Sequence, residues 1–479
     1  MKASETVNGY HVVGPIGGPD SEWLVYHPTS LSLFVVEKQR GMVLQLREKG
    51  YSIDDISLIT GYDLNTCETI IKESDEVFKK KDFEHKNNKK LTKISYPNNI
   101  WFFVSTGCNM ACRYCYVSGG NFNKFPREIM SEEMAKISVQ RLLYLLGDRI
   151  EIISFFGGEP LLAFKTIKVI VEEFIKNGLR PKFTIATNGT LLNQDMIDFF
   201  IENNFTVTVS VDGPEKVHDY NRIFPNGEGS FKQVMKNVEL LKKNNVKLAM
   251  QSTYTYYAFK KGYSLINLAE FLSSMSPIVA IKKEEQFPLL EGKIESEPFP
   301  VNTDFLNMAE NYVDYIFSRL TSSTPIFDIA IARAIGEVLN KVHSNFYPCG
   351  FKEHLTIYPN GSVYSCHLLT NTDLKVSENI LDLDRDYLYN KYDSIEEWLK
   401  NNFVYSGLPQ KVWFSDFQDL CPASLICPQS DTSSIKKRFL KFTNFQSSFW
   451  DRVLKNIYLV SKSGHWDSLL ENIKYYFGG

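Results

Sequence analysis

From "NNIWFFVSTGC" onward, short runs rich in β-branched and aromatic residues alternate with longer stretches of helical period. The runs are "IWFFVS", "EIISFF", "KFTIAT", "FTVTVSV", "KLAMQSTY" and "IVAIK", and their composition is that of buried parallel strands. One intervening helix is predicted to open at Ser131, with Glu132 and Glu133 in its first turn where carboxylates complement the helix dipole. Another opens at Ser230 and sets Phe231, Val234, Met235, Val238 and Leu241 on one face. Six strands alternating with helices predict an α/β fold, a parallel sheet with right-handed crossovers curved into a full or partial barrel. In such a fold the chemistry gathers at the C-terminal ends of the strands.

The flanks follow other patterns. Near the start, "EWLVYHP" and "LSLFVV" read as strands and lead into helical sequence, with Ser52 as an N-cap, Asp55 three residues on, and Gly61 as the stop after "IDDISLIT". Residues 1–78 are therefore a small strand-and-helix module. Residues 79–97, which include "KKKDFEHKNNKKLTK", read as a solvated linker. The barrel spans 98–300, and 301–479 form a C-terminal region with its own cysteines.

Composition changes this picture in three ways. A chain of 479 residues, 43% hydrophobic and 14% aromatic, has material for two or three domains. A formal net charge of -3 argues against a broad nucleic-acid footprint, so no nucleic-acid partner is expected. The N-terminus lacks a signal-peptide pattern and no apolar run is long enough to span a bilayer, which predicts a cytoplasmic protein without a membrane partner. In that reducing setting the eight cysteines are metal ligands or buried thiols. Seven fall in two clusters; the eighth, Cys67, reads as a small buried apolar residue.

The first cluster, "VSTGCNMACRYCYVSGG", places Cys108, Cys112 and Cys115 in a C-x3-C-x2-C array just after the first barrel strand. Three thiolates can hold three irons of a cubane cluster and leave the fourth iron open to a small molecule. A structural zinc with a distant fourth ligand is the alternative.

This array resembles the signature of the radical S-adenosylmethionine (radical SAM) enzymes, which usually carry an aromatic before the third cysteine, here Tyr114. The resemblance covers roughly residues 98–282. It implies a [4Fe-4S] cluster whose open iron binds S-adenosylmethionine, reductive cleavage to a 5′-deoxyadenosyl radical, and an electron donor such as flavodoxin or ferredoxin. Gly157, Gly158, Glu159 and Pro160 of "FFGGEPLL" match the segment that binds the methionine amino group. Two glycines permit close backbone approach, and a carboxylate can accept from an ammonium. By the same resemblance Asn188 in "ATNGTLL", and Ser210 and Asp212 in the stretch after the fourth strand, are candidates for ribose or methionine contacts. Arg222 is a candidate carboxylate partner.

The second cluster begins with "CGFKEHLTIYPNGSVYSC", Cys349 to Cys366, with Asn360-Gly361 as a tight turn between two alternating strands. "LCPASLIC" adds Cys421 and Cys427. Four cysteines suffice for one more cluster or for one zinc ion. This part resembles the SPASM and twitch extensions of radical SAM enzymes, in which a G-x4-C hairpin, here Gly361 to Cys366, and later cysteines hold auxiliary clusters. Gln418 and Asp431 stand where further SPASM cysteines would be, so the resemblance implies one auxiliary [4Fe-4S] cluster.

Residues 1–78 resemble the recognition element of enzymes that modify ribosomally made peptides (RiPPs), a winged helix-turn-helix whose edge strand pairs with a leader peptide. A DNA-binding role is disfavoured by Glu68, Glu73, Asp75 and Glu76 on the candidate recognition helix. Together these resemblances imply a peptide maturase that binds a precursor through its leader and forms a thioether or carbon–carbon crosslink. A sulfatase-maturing enzyme, a related small-molecule enzyme and a non-catalytic zinc-binding scaffold are the rivals.

Overall fold

The computed structural model describes residues 10–18, 20–27, 32–88, 97–115, 117–122, 124–283, 303–340, 353–367, 375–402, 449 and 451–477. Three strands come first: β1 (His11–Val13), β2 (Trp23–His27) and β3 (Ser32–Val36) form an antiparallel sheet in that order. The hydrophobic pattern reveals β2 and β3 but not β1, which is too short to display an alternation. Helices α1 (Lys38–Glu48), α2 (Ile53–Thr60) and α3 (Leu64–Asn88) follow. Ser52 Oγ accepts from Asp55 N at 3.2 Å, and Gly61 ends α2 in the left-handed region at φ 74°. Val25, Val43, Leu44, Ile56, Ile70 and the wholly buried Cys67 share the core of this module.

Two expectations change here. α3 continues through Asn88, so residues 79–88 are helix rather than linker. Lysine is a good helix former and the stretch has no Gly or Pro, so its charge does not end the helix. Two of the four acids on α3 also serve a different purpose. Glu73 lies 2.6 Å from Arg40, and Asp75 takes both Arg47 nitrogens at 2.9 and 3.0 Å, so they bind α3 to α1. Glu68 and Glu76 remain exposed.

The six barrel strands are β4 (Asn99–Ser105), β5 (Ile152–Gly157), β6 (Lys182–Thr187), β7 (Thr206–Ser210), β8 (Lys247–Tyr254) and β9 (Ile278–Lys283). Each pairs parallel with its chain neighbour, and β10 (Phe327–Asp328) adds to β9. One face of this sheet is apolar. Ile153, Phe155, Phe183, Ile185, Val207, Val209, Met250 and Val279 share a core with helical residues such as Leu142, Ile170, Phe200, Val238 and Leu268. The other face carries half-buried Ser154, Thr184, Thr206, Thr208, Ser210 and Gln251. Helices covering one face, with polar groups on the other, suit a barrel wall better than a doubly wound sheet. The predicted helix faces hold: Ser131 caps α4 (Glu132–Leu146), and Val234, Val238 and Leu241 bury one side of the helix Phe231–Lys243.

Beyond the barrel, β11 (His354–Ile357) and β12 (Val363–Tyr364) form the predicted hairpin, with Gly361 at φ +83° in its turn. The pattern did not indicate where the hairpin attaches. β11 pairs parallel with β4, Thr356 opposite Trp101, and with β13 (Lys375–Ser377) it extends the sheet to ten strands in the order β10-β9-β8-β7-β6-β5-β4-β11-β12-β13. Cys366 follows β12 and is half-buried against the main core. Cys349, Cys421 and Cys427, with Gln418 and Asp431, lie outside the described residues. No helix among the described residues is long and apolar enough to cross a membrane.

The N-terminal module is docked on the far end of the chain. Val13, Ile16, Leu24 and Tyr26 belong to the same continuous core as Val453, Leu454 and Ile457 on the helix over 451–463. His11 is buried between two carboxylates: Nδ1 meets Glu48 at 2.8 Å and Nε2 meets Asp451. Tyr458 bonds Glu22 beside it, and Arg452 joins the same helix to Asp314 on the helix Thr303–Leu320 through Nε at 2.6 Å.

Burial alone would lower the His11 pKa, but Asp451 and Glu48 outweigh it and raise it to about 9. A raised histidine pKa contributes stability that is complete below the unfolded value of 6.5 and is lost as pH climbs through about 9. His11→Gln should therefore lower the Tm most below pH 6.5, with the gap to the parent narrowing as pH passes about 9. Thermal melts of both proteins across that range check it.

Candidate active site

The polypeptide leaves β4 at Ser105 and turns through the cysteine loop. Cys108, Cys112 and Cys115 are free and partly exposed there. The loop is held by its backbone: Ala111 N donates to Ile223 O at 2.8 Å, Arg113 N to Asn221 O at 2.9 Å and Cys115 N to Cys112 O at 3.1 Å. Two thiols already accept main-chain hydrogen bonds, Cys108 from Met110 N at 3.4 Å and Cys115 from Gly119 N at 3.2 Å. Burial pushes the Cys108 thiol up to about 11 and that of Cys112 up to about 12, and each of the three lies within electrostatic reach of another. The donor set fits a multi-iron cluster: three thiolates for three irons, with N–H donors to sulfur and cationic metal to favour the ionised thiols.

The end of β5 presses against this loop. A Cβ on Gly158 would stand 2.3 Å from the carbonyl oxygens of both Gly107 and Gly119, and one on Gly120 would stand 2.5 Å from the Gly158 Cα. Gly158 N donates to Ser105 O and Glu159 N to Gly107 O, both at 2.9 Å. Gly157 is equally confined, 2.4 Å from Ser105 O at its Cβ position. The two glycines thus allow the close approach inferred for them, made here to the cysteine loop itself.

Glu159 departs from expectation. Its carboxylate, wholly buried, turns inward and accepts from Leu161 N at 3.0 Å, Thr187 Oγ at 2.6 Å and Asn188 N at 2.8 Å. Burial raises its pKa to about 7 against the pull of those three donors. Pro160 opens the short 3-10 turn that this carboxylate caps. The β5 end is thereby tied to the β6 end, where Asn188 Nδ2 reaches Asn109 Oδ1 at 2.9 Å and faces Cys108 Sγ at 3.9 Å.

At the ends of β7 and β8, Asp212 gathers the other expected residues. Tyr114 donates to its Oδ2 at 2.8 Å, Thr253 N to its Oδ1 at 3.1 Å, and Arg222 Nε faces Oδ1 at 3.1 Å, an ion pair off the hydrogen-bond axis. The guanidinium also lies 5.5 Å from the Tyr114 ring centre. Arg222, read as a partner for a ligand carboxylate, already faces one within the chain, and Asp212 is engaged in holding Arg222 and Tyr114. Ser210 sits half-buried at the end of β7, on its polar face.

Several supporting residues carried no motif of their own. Asn109 and Thr190 close a ring with Asn188, through 2.8 and 2.7 Å bonds. His218 accepts from Asp212 N at 3.4 Å and contacts Ser230 Oγ at 2.9 Å, and that hydroxyl bonds Arg222 O in place of capping the helix Phe231–Lys243. Burial lowers the His218 pKa to about 4, so it is neutral near pH 7. For Asn109 and Thr190 the one sequence signal is position, since each lies just past a strand's C-terminal end; His218 carries none.

Two outcomes follow. Gly158→Ala should prevent the cysteine loop from seating and lower the iron retained after anaerobic reconstitution, read by metal analysis. Asp212→Asn should leave the Arg222 charge buried without its partner and cost roughly 3–5 kcal/mol, measured by chemical denaturation.

Comparison with known proteins agrees with this geometry. The radical SAM superfamily model matches residues 102–264. The serine-type anaerobic sulfatase-maturating enzyme of Bacteroides thetaiotaomicron is 34% identical over 352 residues, covering 68% of this chain and 81% of that protein. The radical SAM cyclopropyl synthase TigE of Paramaledivibacter caminithermalis is 25% identical over 272 residues, 52% of this chain and 57% of that protein. The solved structure of native anSMEcpe with bound AdoMet and Cp18Cys peptide superposes with a TM-score of 0.58 at 21% identity, covering 73% of this chain and 96% of that one. With its three-cysteine loop on the first strand of a parallel barrel wall, this chain belongs to the radical SAM superfamily of enzymes.

Proposed function

We propose that this radical SAM enzyme is a peptide maturase that binds a ribosomally made precursor through its leader and crosslinks the core peptide. The observation that carries this reading is the edge of the N-terminal sheet, which no other strand pairs among the described residues. β3 is an edge strand with Val35 47% exposed, α3 carries Val77 44% exposed, and the module shares a core with the rest of the chain. An extended peptide can add to such an edge by main-chain hydrogen bonds, which raises the effective concentration of its tethered core at the barrel.

The radical SAM domain implies a [4Fe-4S] cluster that binds S-adenosylmethionine, and together they supply one-electron cleavage to a hydrogen-abstracting adenosyl radical. In our reading Cys108, Cys112 and Cys115 hold that cluster. Gly157 and Gly158 keep the loop seated, and the backbone of Glu159 and Pro160 borders the ligand. Asn188 orients Cys108, Ser210 offers a hydroxyl from the polar face, and Tyr114, Asp212 and Arg222 form the charged wall. Cys349, Cys366, Cys421 and Cys427 are assigned to one auxiliary four-iron cluster that accepts the surplus electron, with flavodoxin or ferredoxin as the external donor.

A second reading, maturation of a sulfatase serine or cysteine, is favoured by the similarity to the Bacteroides enzyme. The two separate on substrate. A maturase should modify a leader-bearing precursor encoded near its gene and act far more slowly on the leaderless core. Equal rates on both, with formylglycine made in a sulfatase peptide, would transfer the assignment to the second reading.

Anaerobically reconstituted protein should carry about eight irons, as two four-iron clusters require. Alanine at Cys108, Cys112 or Cys115 should abolish S-adenosylmethionine cleavage. Alanine at Cys349, Cys366, Cys421 or Cys427 should leave cleavage measurable while product per 5′-deoxyadenosine falls sharply, because zinc at that site could not accept an electron. Mass spectrometry and chromatography of the two products read the ratio.

A further inference from the structure

We infer that Asn188 is a positioning residue for the first cysteine site: its side-chain amide donates to Cys108 Sγ and raises the reduction potential of the centre those thiolates hold, in place of contacting a bound ligand. Asn188 is buried just past the end of β6. Its main-chain N donates to Glu159 Oε2 at 2.8 Å. Its side-chain Oδ1 accepts from Thr190 N at 2.9 Å and from Thr190 Oγ at 2.7 Å. Its Nδ2 donates to Asn109 Oδ1 at 2.9 Å and meets Cys108 Sγ in a long N–H···S contact at 3.9 Å.

These partners fix the amide. A main-chain N–H can only donate, so the end of the side chain at Thr190 N is the oxygen and the nitrogen faces the cysteine loop. Asn109 Nδ2 donates in turn to Thr190 Oγ at 2.8 Å, which closes the ring and keeps the amide from rotating. One Nδ2 hydrogen serves Asn109, and the other is directed to sulfur. An amide offers two acceptor sites and two hydrogens, and all four are used within the chain. A ribose hydroxyl or a methionine group would meet this side chain only by breaking the ring, so the ligand contact implied by resemblance gives way to a role toward Cys108.

Cys108 Sγ also accepts from Met110 N at 3.4 Å, and Cys115 Sγ from Gly119 N at 3.2 Å. Among the described residues Cys108 is the one thiol of the three that faces a side-chain donor, so its environment can be changed without altering the main chain. Hydrogen bonds to ligand sulfur help to set the potential of an iron–sulfur centre, because an N–H dipole favours the state that carries more negative charge. The inference rests on the assignment of Cys108, Cys112 and Cys115 to a cluster.

The test is a redox titration of the intact, anaerobically reconstituted enzyme followed by electron paramagnetic resonance. It is run without S-adenosylmethionine, on the signal that added S-adenosylmethionine alters, and affinity for S-adenosylmethionine is measured in parallel by equilibrium dialysis. Asn188→Leu removes the donor at similar size. It should lower the equilibrium constant for one-electron reduction about three- to tenfold, a negative shift of about 30 to 60 mV. Thr190→Val loosens the ring but leaves the donor, and should shift the potential part of the way in the same direction. Asn237→Leu removes bonds to Gly189 O and Thr190 O at 2.7 and 3.2 Å, which loosens the same turn without touching the amide, and should keep the parent potential. An unchanged potential in Asn188→Leu, with weaker S-adenosylmethionine binding, would return this residue to ligand contact and overturn the inference. An equal shift in Asn237→Leu overturns it as well, by making the role one of loop support. If Asn188→Leu retains no iron, Thr190→Val decides, and a parent potential there overturns the inference. A parent enzyme with no signal that S-adenosylmethionine alters refutes the cluster assignment itself, and the inference with it.

Discussion

No side chain fits at position 158, because the Gly107 and Gly119 carbonyls occupy the space a Cβ would need. The rest of the site depends on that exclusion. With Gly158 in place, the end of β5 lies against the cysteine loop, Gly158 N donating to Ser105 O at the end of β4 and Glu159 N to Gly107 O in the loop. The next residue, Glu159, can then turn its carboxylate inward to Thr187 and Asn188 at the end of β6. Asn188 in turn meets Asn109 and faces Cys108. The loop that bears the three thiols is in this way positioned by three consecutive strands as well as by its own hydrogen bonds.

A second constraint is electrostatic. Asp212 and Arg222 are both buried, and in a low-dielectric setting neither charge is tolerable without the other. Their pairing, completed by Tyr114 and Thr253 N, anchors the side of the cysteine loop away from β5. Neutral His218 supports the same group from behind by accepting the Asp212 N–H. Buried ion pairs are poor sources of net stability, but they set geometry sharply, since misalignment strands a charge.

The two ends of the chain are drawn into the same body. Tyr358, at the turn of the C-terminal hairpin, stacks on Phe103 at 4.6 Å and on Phe125 at 4.8 Å, and Cys115 packs against the cluster they form with Val117 and Phe122. The hairpin that bears Cys366 is thus in apolar continuity with the first cysteine loop. At the other end, His11 holds the N-terminal module to the helix over 451–463 through Asp451. The N-terminal module is in this way fixed to the body of the chain rather than tethered to it.

The six barrel strands, the faces of α4 and of the helix Phe231–Lys243, the left-handed stop at Gly61 and the C-x3-C-x2-C loop were legible in the sequence because each is set by local periodicity, capping or spacing. The burial of Cys67 and the turn at Asn360-Gly361 belong with them. The tertiary structure alone decided which distant groups meet. The parallel pairing of β11 with β4 joins segments that no local period relates, and His11 finds Asp451 across nearly the whole chain. Asp212 and Arg222 both stood out in the sequence as candidates, yet their pairing with each other was not legible, and neither was the inward turn of Glu159. A carboxylate's identity is a property of the sequence, whereas its partner is chosen by burial, which removes water as a competitor and leaves the nearest donor as the one available stabilisation.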